Sequence, residues 1–443
     1  MSRLAIGCRM PSRPHQIMIS ISVAGMWHLG SVTAACLASV GHVVTGIDED
    51  PGVVAALELG RAPIAEPGLD EIIVREVAAG RLRFSTCFEE AAKSDVVWVA
   101  YDTPVDSNDA ADVNFVHTRA KRLLDHMRDG ALLVVSSQMP VGCVARLERE
   151  FAESAGGRQI RFACAPENLR LGKAIEVFLR PDRVVLGVRD SVARTTLEAV
   201  YKPFTDRLEW MSVESAEMTK HAINSFLATS ICFINEIATV CESTGADAVE
   251  VERGLKTDQR IGHGAYLHAG GAIAGGTLAR DIAFLRSLGR DNGTKLPLID
   301  GVYASNEQHK TWLHRRLTEE LGTLTGRTVA ILGLTYKPGT NTLRRSSAVE
   351  AACWLSGQGA IVRAFDPQVP ELPEELKSVL TLGADVAATL AGCEAMVVMT
   401  PWPEFQTLDP ALVPSVVFDA ARFLEKRLSA RADIRYYSIG RVN

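Results

Sequence analysis

The 443 residues predict an α/β protein in which two parallel-sheet domains are joined by a central helical segment. Three observations carry that prediction. An alternating apolar segment, a glycine turn, an alanine-rich stretch and a second apolar run follow one another near the start of the chain, from Ile17. The same order returns at Thr328. Between the two, from about Val213, apolar residues recur at three- and four-residue steps, the period of a helix. Length agrees, since one hydrophobic core rarely organises so many residues.

In the first domain Ile17, Ile19, Ile21 and Val23 alternate with Met18, Ser20 and Ser22, a strand pattern. The turn Gly25-Met26-Trp27-His28-Leu29-Gly30 follows, then a helix through Ala34, Ala35, Leu37 and Ala38 closed by Gly41. A second strand, Val43 to Ile47, delivers Asp48. This βαβ opening has the length a dinucleotide-binding, Rossmann-like fold requires. Strand-like runs at Val96–Ala100, Leu132–Ser136, Arg161–Cys164 and Val184–Leu186 continue the sheet. In the central segment Ile223, Phe226, Leu227, Ile231, Ile234, Ile237 and Cys241 mark a long helix, with shorter helices to about Leu321. The second sheet opens with Val329–Leu332, Gly333, a helix over Ala348–Leu355, and Ile361–Phe365 ending in Asp366. The expected boundaries are a disordered leader at 1–16, a dinucleotide-binding domain at 17–210, a helical dimerisation domain at 211–322, and a second Rossmann-like domain at 323–443.

Composition narrows the function. The chain is 47% hydrophobic and 23% charged with a formal net charge of -6, and its basic residues are scattered, so no nucleic-acid partner is expected. Nine cysteines sit singly with no C-x-x-C pair, and ten histidines show no ligand spacing, which predicts reduced thiols in the cytoplasm and no metal. The leader is polar, with Arg3, Arg9, Arg13, Pro11 and Pro14, and lacks a signal peptide's apolar core. The longest apolar run, Ala222 to Cys241, is interrupted by Asn224, Ser225, Asn235 and Glu236, and so reads as a buried helix, not a membrane span.

A phosphate-cradling turn uses glycines for a tight bend, for close backbone approach to pyrophosphate and for helix packing. Here Gly25 and Gly30 hold the outer positions and Trp27 stands at the middle one. Asp48 suits ribose hydroxyls and repels a 2′-phosphate, so NAD is preferred over NADP. By itself the turn fits two readings, a pyrophosphate cradle or a plain strand-to-helix connection. Lys220 and Asn224, four apart, share a helix face and could hold a developing oxyanion, or could be a solvated lysine beside a packing asparagine.

Several segments together resemble the UDP-glucose and GDP-mannose dehydrogenases, which oxidise a nucleotide-linked sugar's primary alcohol to a carboxylate with two NAD. They are the stretch GSVTAACLASVGHVVTGID from Gly30, Glu66-Pro67-Gly68-Leu69, Asp102-Thr103-Pro104, and Ser137 with Pro140-Val141-Gly142. Pro166-Glu167, the helix with Lys220, Asn224 and Phe233-Ile234-Asn235-Glu236, and Arg260-Ile261-Gly262 continue the series. Gly333 to Pro338, Arg344, Phe365-Asp366-Pro367 and Thr400 to Phe405 complete it, collinear from Ile17 onward. The resemblance implies that Gly25, Trp27, Gly30, Asp48, Thr103, Ser137 and Arg344 face the dinucleotide. It implies that Glu167, Lys220 and Asn224 surround the reacting carbon. Tyr336, Lys337 and the loop from His268 to Ala274 would hold a nucleotide-sugar, most simply a UDP-sugar. Arg260 would reach in from a second subunit. Arg422, in Asp419-Ala420-Ala421-Arg422, stands one place away from the family's nucleotide-gripping arginine.

The departures cluster. The family's nucleophilic cysteine lies in a Gly-Gly-x-Cys-x-Pro-Lys-Asp loop; this chain reads Gly275-Gly276-Thr277-Leu278-Ala279-Arg280-Asp281. Thr277 replaces the cysteine, Arg280 the lysine, and Asp281 survives. Gln138 replaces a water-positioning threonine, and Leu171 a second carboxylate. The expected activity is therefore an NAD-linked oxidation of a nucleotide-sugar limited to a two-electron step, with Glu167, Lys220, Asn224, Thr277 and Asp281 at the centre. The alternative is a non-catalytic nucleotide-sugar-binding homologue. The hydroxyacid and 6-phosphogluconate dehydrogenases share the first domain and long helix but leave the second sheet unexplained. A homodimer through the long helix is expected, because the helix is apolar over more of its circumference than one small domain would bury.

Overall fold

The computed structural model describes residues 18–104, 111–167, 169–274 and 276–442. The leader expected at 1–16, Ile17 and Gly275 lie outside these. The chain divides into two compact units, Met1–Lys220 and His221–Asn443.

In the first unit, four- and five-residue runs form eight strands: β1 (Ser20–Ala24), β2 (Val43–Ile47), β3 (Leu82–Ser85), β4 (Val96–Val99), β5 (Leu132–Val135), β6 (Arg161–Cys164), β7 (Val184–Val188) and β8 (Leu208–Met211). The sheet order is β3-β2-β1-β4-β5-β6-β7-β8. It reverses between β1 and β4, so the crevice outside the carboxyl ends of those strands is where such a sheet takes its ligand. Both faces are covered: Ile21, Val23, Leu37 and Trp98 lie in one core, and Val97, Val99, Leu123 and Leu147 in the other. The expectation of a parallel sheet fails at one pair, β6 with β7, which is antiparallel. The described residues between them carry the six-residue helix Ala174–Leu179, and the chain re-enters at the same end of the sheet that it left, so no crossover is made.

In the second unit β9 (Thr328–Leu332), β10 (Ile361–Phe365), β11 (Thr381–Leu382), β12 (Ala395–Val398), β13 (Val416–Asp419) and β14 (Arg435–Tyr437) form a parallel sheet in the order β11-β10-β9-β12-β13-β14. Its reversal falls between β9 and β12. The helices after Lys220 share this sheet's core, with Ile234, Ala238, Cys241, Trp312 and Leu317 packed together with Val329, Ile331 and Val397. From His221 onward this segment belongs to the same compact unit as the second sheet, where its apolar face is buried.

The long helix runs from Val213 to Thr244, 32 residues. It is long and apolar enough by composition to cross a membrane, yet its polar side chains are engaged by other groups of the chain: Asn235 Oδ1 accepts from Gly270 N at 2.9 Å, and Glu242 Oε1 from Trp312 Nε1 at 3.0 Å.

Candidate active site

Beyond β1 the chain turns at Gly25, whose φ of +91° is in the left-handed region; a Cβ there would lie 2.6 Å from the Tyr101 ring. A Cβ on Gly30 would lie 1.8 Å from the Gly25 carbonyl oxygen, so both outer glycines are required for the bend. Asp48, at the end of β2, steadies the turn by accepting from Met26 N at 2.7 Å through Oδ2 and from Asp50 N at 3.0 Å through Oδ1. The Asp48 residue stays partly exposed. The indole of Trp27 is 48% exposed, so it is not part of the core beneath the turn. A bend without room for side chains, a helix N-terminus at His28 and an accessible carboxylate fit the pyrophosphate and ribose of a dinucleotide.

Neighbouring loops are tied down by buried carboxylates. Glu66 accepts from Gly172 N and Ala174 N, both at 2.8 Å, and lies 3.0 Å from His28 Nε2. It therefore fixes the segment that follows Glu167. Thr103 Oγ1 donates to Gln138 O at 2.6 Å, joining the loops beyond β4 and β5, and the buried Ser137 hydroxyl donates to Val99 O at 3.4 Å.

The long helix carries Glu217, Lys220, His221 and Asn224 at the i, i+3, i+4, i+7 spacing of one face. Glu217 is buried and accepts from Gly142 N at 2.7 Å and Val144 N at 3.0 Å, capping the helix Cys143–Ser154. His221 Nδ1 lies 2.5 Å from Asp281 Oδ1, and Asn224 Nδ2 donates to Asp281 Oδ2. Asp281 is fully buried, on the helix Thr277–Asp291 that opens with Thr277 as its first residue after Gly276.

Thr277 and Leu278 line a cavity of about 230 Å³ with Ile231, Gly271–Ala274 and Tyr336. Three side chains hold that loop. Asn306 is bidentate to Ile273, accepting from its N–H at 2.8 Å and donating to its carbonyl at 3.0 Å. His309 Nε2 donates to Gly270 O at 2.8 Å, and Asn235 takes the Gly270 N–H. A second, largely apolar cavity of about 210 Å³ begins on the other side of the same loop. It extends to the carboxyl ends of β12 and β13, beside the reversal point of the second sheet, and to Ser347 and Glu350. Together they offer a polar end at Thr277 and an apolar recess, the layout a sugar and a nucleotide base would need.

Family models assign this architecture. Residues 19–205 match the NAD binding domain of the UDP-glucose/GDP-mannose dehydrogenase family, 214–308 its central domain and 330–426 its UDP binding domain. A UDP-glucose 6-dehydrogenase of Rhizobium meliloti (strain 1021) is 35% identical over 436 residues, 96% of this chain and all (100%) of that protein. The chain belongs to the UDP-glucose/GDP-mannose dehydrogenase family. One from Bacillus subtilis (strain 168) is 32% identical over 433 residues, covering 96% and 94% of the two chains. A solved UDP-glucose dehydrogenase from the archaeon Pyrobaculum islandicum superposes with a TM-score of 0.89 at 33% identity, covering 98% of this chain and 100% of that one. NAD is the cofactor of the first domain, and the protein is an NAD-dependent dehydrogenase of the nucleotide-sugar class.

As a member of this family, the chain sets its expected site residues in several places. Gly25, Gly30 and Asp48 come together at the first turn, and Thr103 and Ser137 at the loops beyond β4 and β5. Thr277 and Tyr336 share the first cavity, with Lys337 next in sequence to Tyr336 and Arg344 on the exposed stretch before the helix Ser347–Gly357. Arg260 is 88% exposed and forks onto Asp258. The Arg422 guanidinium is bidentate to Asp247 at 2.6 and 2.7 Å and also reaches Glu425 at 2.9 Å. The backbone at Arg422 is left-handed (φ +58°). Sequence reasoning missed His221. Its signal was the i, i+3 spacing to Asn224, and the polar stripe it completes was obscured by the apolar residues around it.

Proposed function

We propose that this chain oxidises the primary alcohol of a UDP-linked sugar with NAD and stops after one two-electron step. The observation that carries the limit is Thr277, at the head of a helix and lining the cavity, where the family resemblance places a thiol. Three buried thiols do not offer a substitute. Burial, then Glu217, pushes Cys143 up to about 12 and holds Cys164 well above the ordinary thiol range. Burial pushes Cys232 up to about 11. Thiolate, the reactive form, is scarce at all three.

In the first oxidation the alcohol must lose a proton while its carbon loses hydride. NAD, when bound, accepts the hydride. The Lys220 ammonium and the Asn224 amide supply donors to the developing alkoxide, and Glu217 and Asp281 hold the helix face on which both stand. A second hydride could leave only from a tetrahedral adduct of the aldehyde, which a threonine hydroxyl forms poorly. The non-catalytic alternative is not favoured, given 35% identity to an enzyme over 96% of the chain.

The working form is a homodimer in the cytoplasm. Supporting the first, Phe226, Phe233 and Val240 are exposed at seven-residue intervals along the long helix, a stripe suited to a partner helix. Supporting the second, the described cysteines are free thiols. The test of the reaction is stoichiometry with UDP-glucose and NAD: about one NADH per sugar and no uronate by mass spectrometry supports it, and two NADH with a carboxylate overturns it. Light scattering tests the dimer, which a monomeric mass at working concentration refutes.

A further inference from the structure

No step of the proposed oxidation uses His221, yet its side chain is almost wholly buried and paired with a carboxylate that is entirely so. An imidazole and a carboxylate withdrawn from water are costly unless they satisfy one another, and an aliphatic residue would pack at this helix position, edge-on to Phe284, without that cost. The pair therefore has to be explained by what it holds. A carboxylate only accepts, so the proton of the short bond sits on His221 Nδ1. Its other oxygen receives the Asn224 amide nitrogen. An asparagine amide can present either end to a site, and bonding its nitrogen to Asp281 fixes which end turns inward and keeps the carbonyl oxygen and the second N–H for another partner.

We infer that His221 is a positioning residue: it pins Asp281 through Oδ1, and Asp281 in turn fixes the Asn224 amide in the orientation the reacting hydroxyl meets. The inference rests on the reading of Asn224 as a donor to the alkoxide. Asp281 then serves as a bracket between two side chains of the long helix, each of its oxygens bonded to one of them. The elements agree with this assignment. His221 and Asn224 are one turn apart on one helix, Asp281 sits one turn after Thr277 on another, and the bracket ties the face holding Asn224 to the helix whose first residue lines the cavity.

The test is a pair of substitutions assayed with UDP-glucose and NAD. His221→Leu withdraws the donor, and His221→Asn restores one at the place of Nδ1. The leucine variant should lose about a hundredfold in kcat, the order expected when a reacting group is misplaced by about an ångström. Its KM for UDP-glucose should stay within about twofold, and the asparagine variant should recover most of the lost kcat. A leucine variant with unchanged kcat, an asparagine variant as impaired as the leucine one, or a loss confined to KM would overturn the assignment. A readout independent of turnover accompanies it. Low-field proton NMR of the intact wild-type protein should show an imidazole N–H resonance that disappears in both His221→Asn and Asp281→Asn, and its absence from the wild type would refute the pair. If the wild type makes no NADH from UDP-glucose while the resonance is present, the substrate reading fails and the bracket stands.

Discussion

Replacing Thr277 by cysteine should turn a one-NADH enzyme into a two-NADH enzyme. Thr277 is exposed, is the first residue of the helix Thr277–Asp291, and lines the cavity of about 230 Å³ with Tyr336 and the Gly271–Ala274 loop. A free thiol has a pKa near 8.5, so about a tenth is thiolate at pH 7.5. A helix N-terminus stabilises an adjacent anion by roughly 0.3–1 kcal/mol. The upper end is a shift of about 0.7 pK unit, which raises the thiolate to about a third. That nucleophile would add to the aldehyde left by the first oxidation. The resulting thiohemiacetal can release hydride to a second NAD, and water then frees the acid. The assay follows NADH per UDP-glucose consumed, with products separated by mass spectrometry. The wild type should give about one and Thr277→Cys about two, with uronate appearing only in the variant. Two equivalents from the wild type, or one from a folded variant that still oxidises the alcohol, would refute the reasoning.

Three further outcomes are expected. Trp27→Gly, which removes a half-exposed indole from the N-cap of the helix His28–Ser39, should tighten NAD binding severalfold by calorimetry at little cost in stability; an unchanged Kd means the ring stands clear of the pyrophosphate. Asn306→Ala removes two bonds to Ile273, at about 1 kcal/mol each, and so should raise KM for UDP-glucose by up to ~30-fold with kcat nearly intact; an unchanged KM removes the loop from substrate binding. Burial holds His309 below the usual imidazole range, opposed by its bond to the Gly270 carbonyl. A depressed folded-state pKa gives stability that is fully present above the unfolded value, about 6.5, and is lost as pH falls toward the folded one. Wild-type melting temperature should therefore drop below about pH 6.5 by more than that of His309→Gln, and superimposable curves would exclude His309 as the source.

Much of the frame was legible because it is written in periodicity. Val43–Ile47, Arg161–Cys164 and Ile361–Phe365 are strands at the bounds their apolar runs indicated, and the long helix begins at Val213, about where the pattern was expected to change. Strands of marginal pattern were missed. In β3 only Leu82 and Phe84 are buried, in β8 the residues are Leu-Glu-Trp-Met, and β11 has two residues; each takes its form from the neighbour it pairs with and not from its own sequence. At the candidate site, glycines with an obligatory conformation could be read from sequence, but partners could not. Nothing in the order of residues announces that Arg422 closes on Asp247, 175 positions away, or that His221 meets Asp281, 60 away.

The two sheets show why local pattern under-determines function. Each has a glycine turn after its first strand and an aspartate at the end of its second, Gly25 with Asp48 and Gly333 with Asp366. In the second sheet the aspartate is buried and turned to its own loop. Asp366 Oδ2 accepts from Leu334 N at 2.7 Å, Thr335 N at 2.9 Å, Thr335 Oγ1 at 3.0 Å and Trp402 Nε1 at 3.0 Å, while Oδ1 takes Gln368 N at 2.9 Å. Asp366 is 2% exposed and four of its five donors crowd Oδ2, so it does not present an open pair of carboxylate oxygens to ribose hydroxyls. A Cβ at Gly333 would lie 2.4 Å from Thr400 O, so that glycine serves contact with the next strand's loop and not with a phosphate. Asp48 is partly exposed, with one backbone donor on each oxygen, which leaves acceptor capacity for two hydroxyls. The same strand–turn–helix–strand order thus yields a dinucleotide site in one sheet and a closed support in the other. In the second sheet the cavity lies instead at the ends of β12 and β13, lined by side chains that no short motif contains.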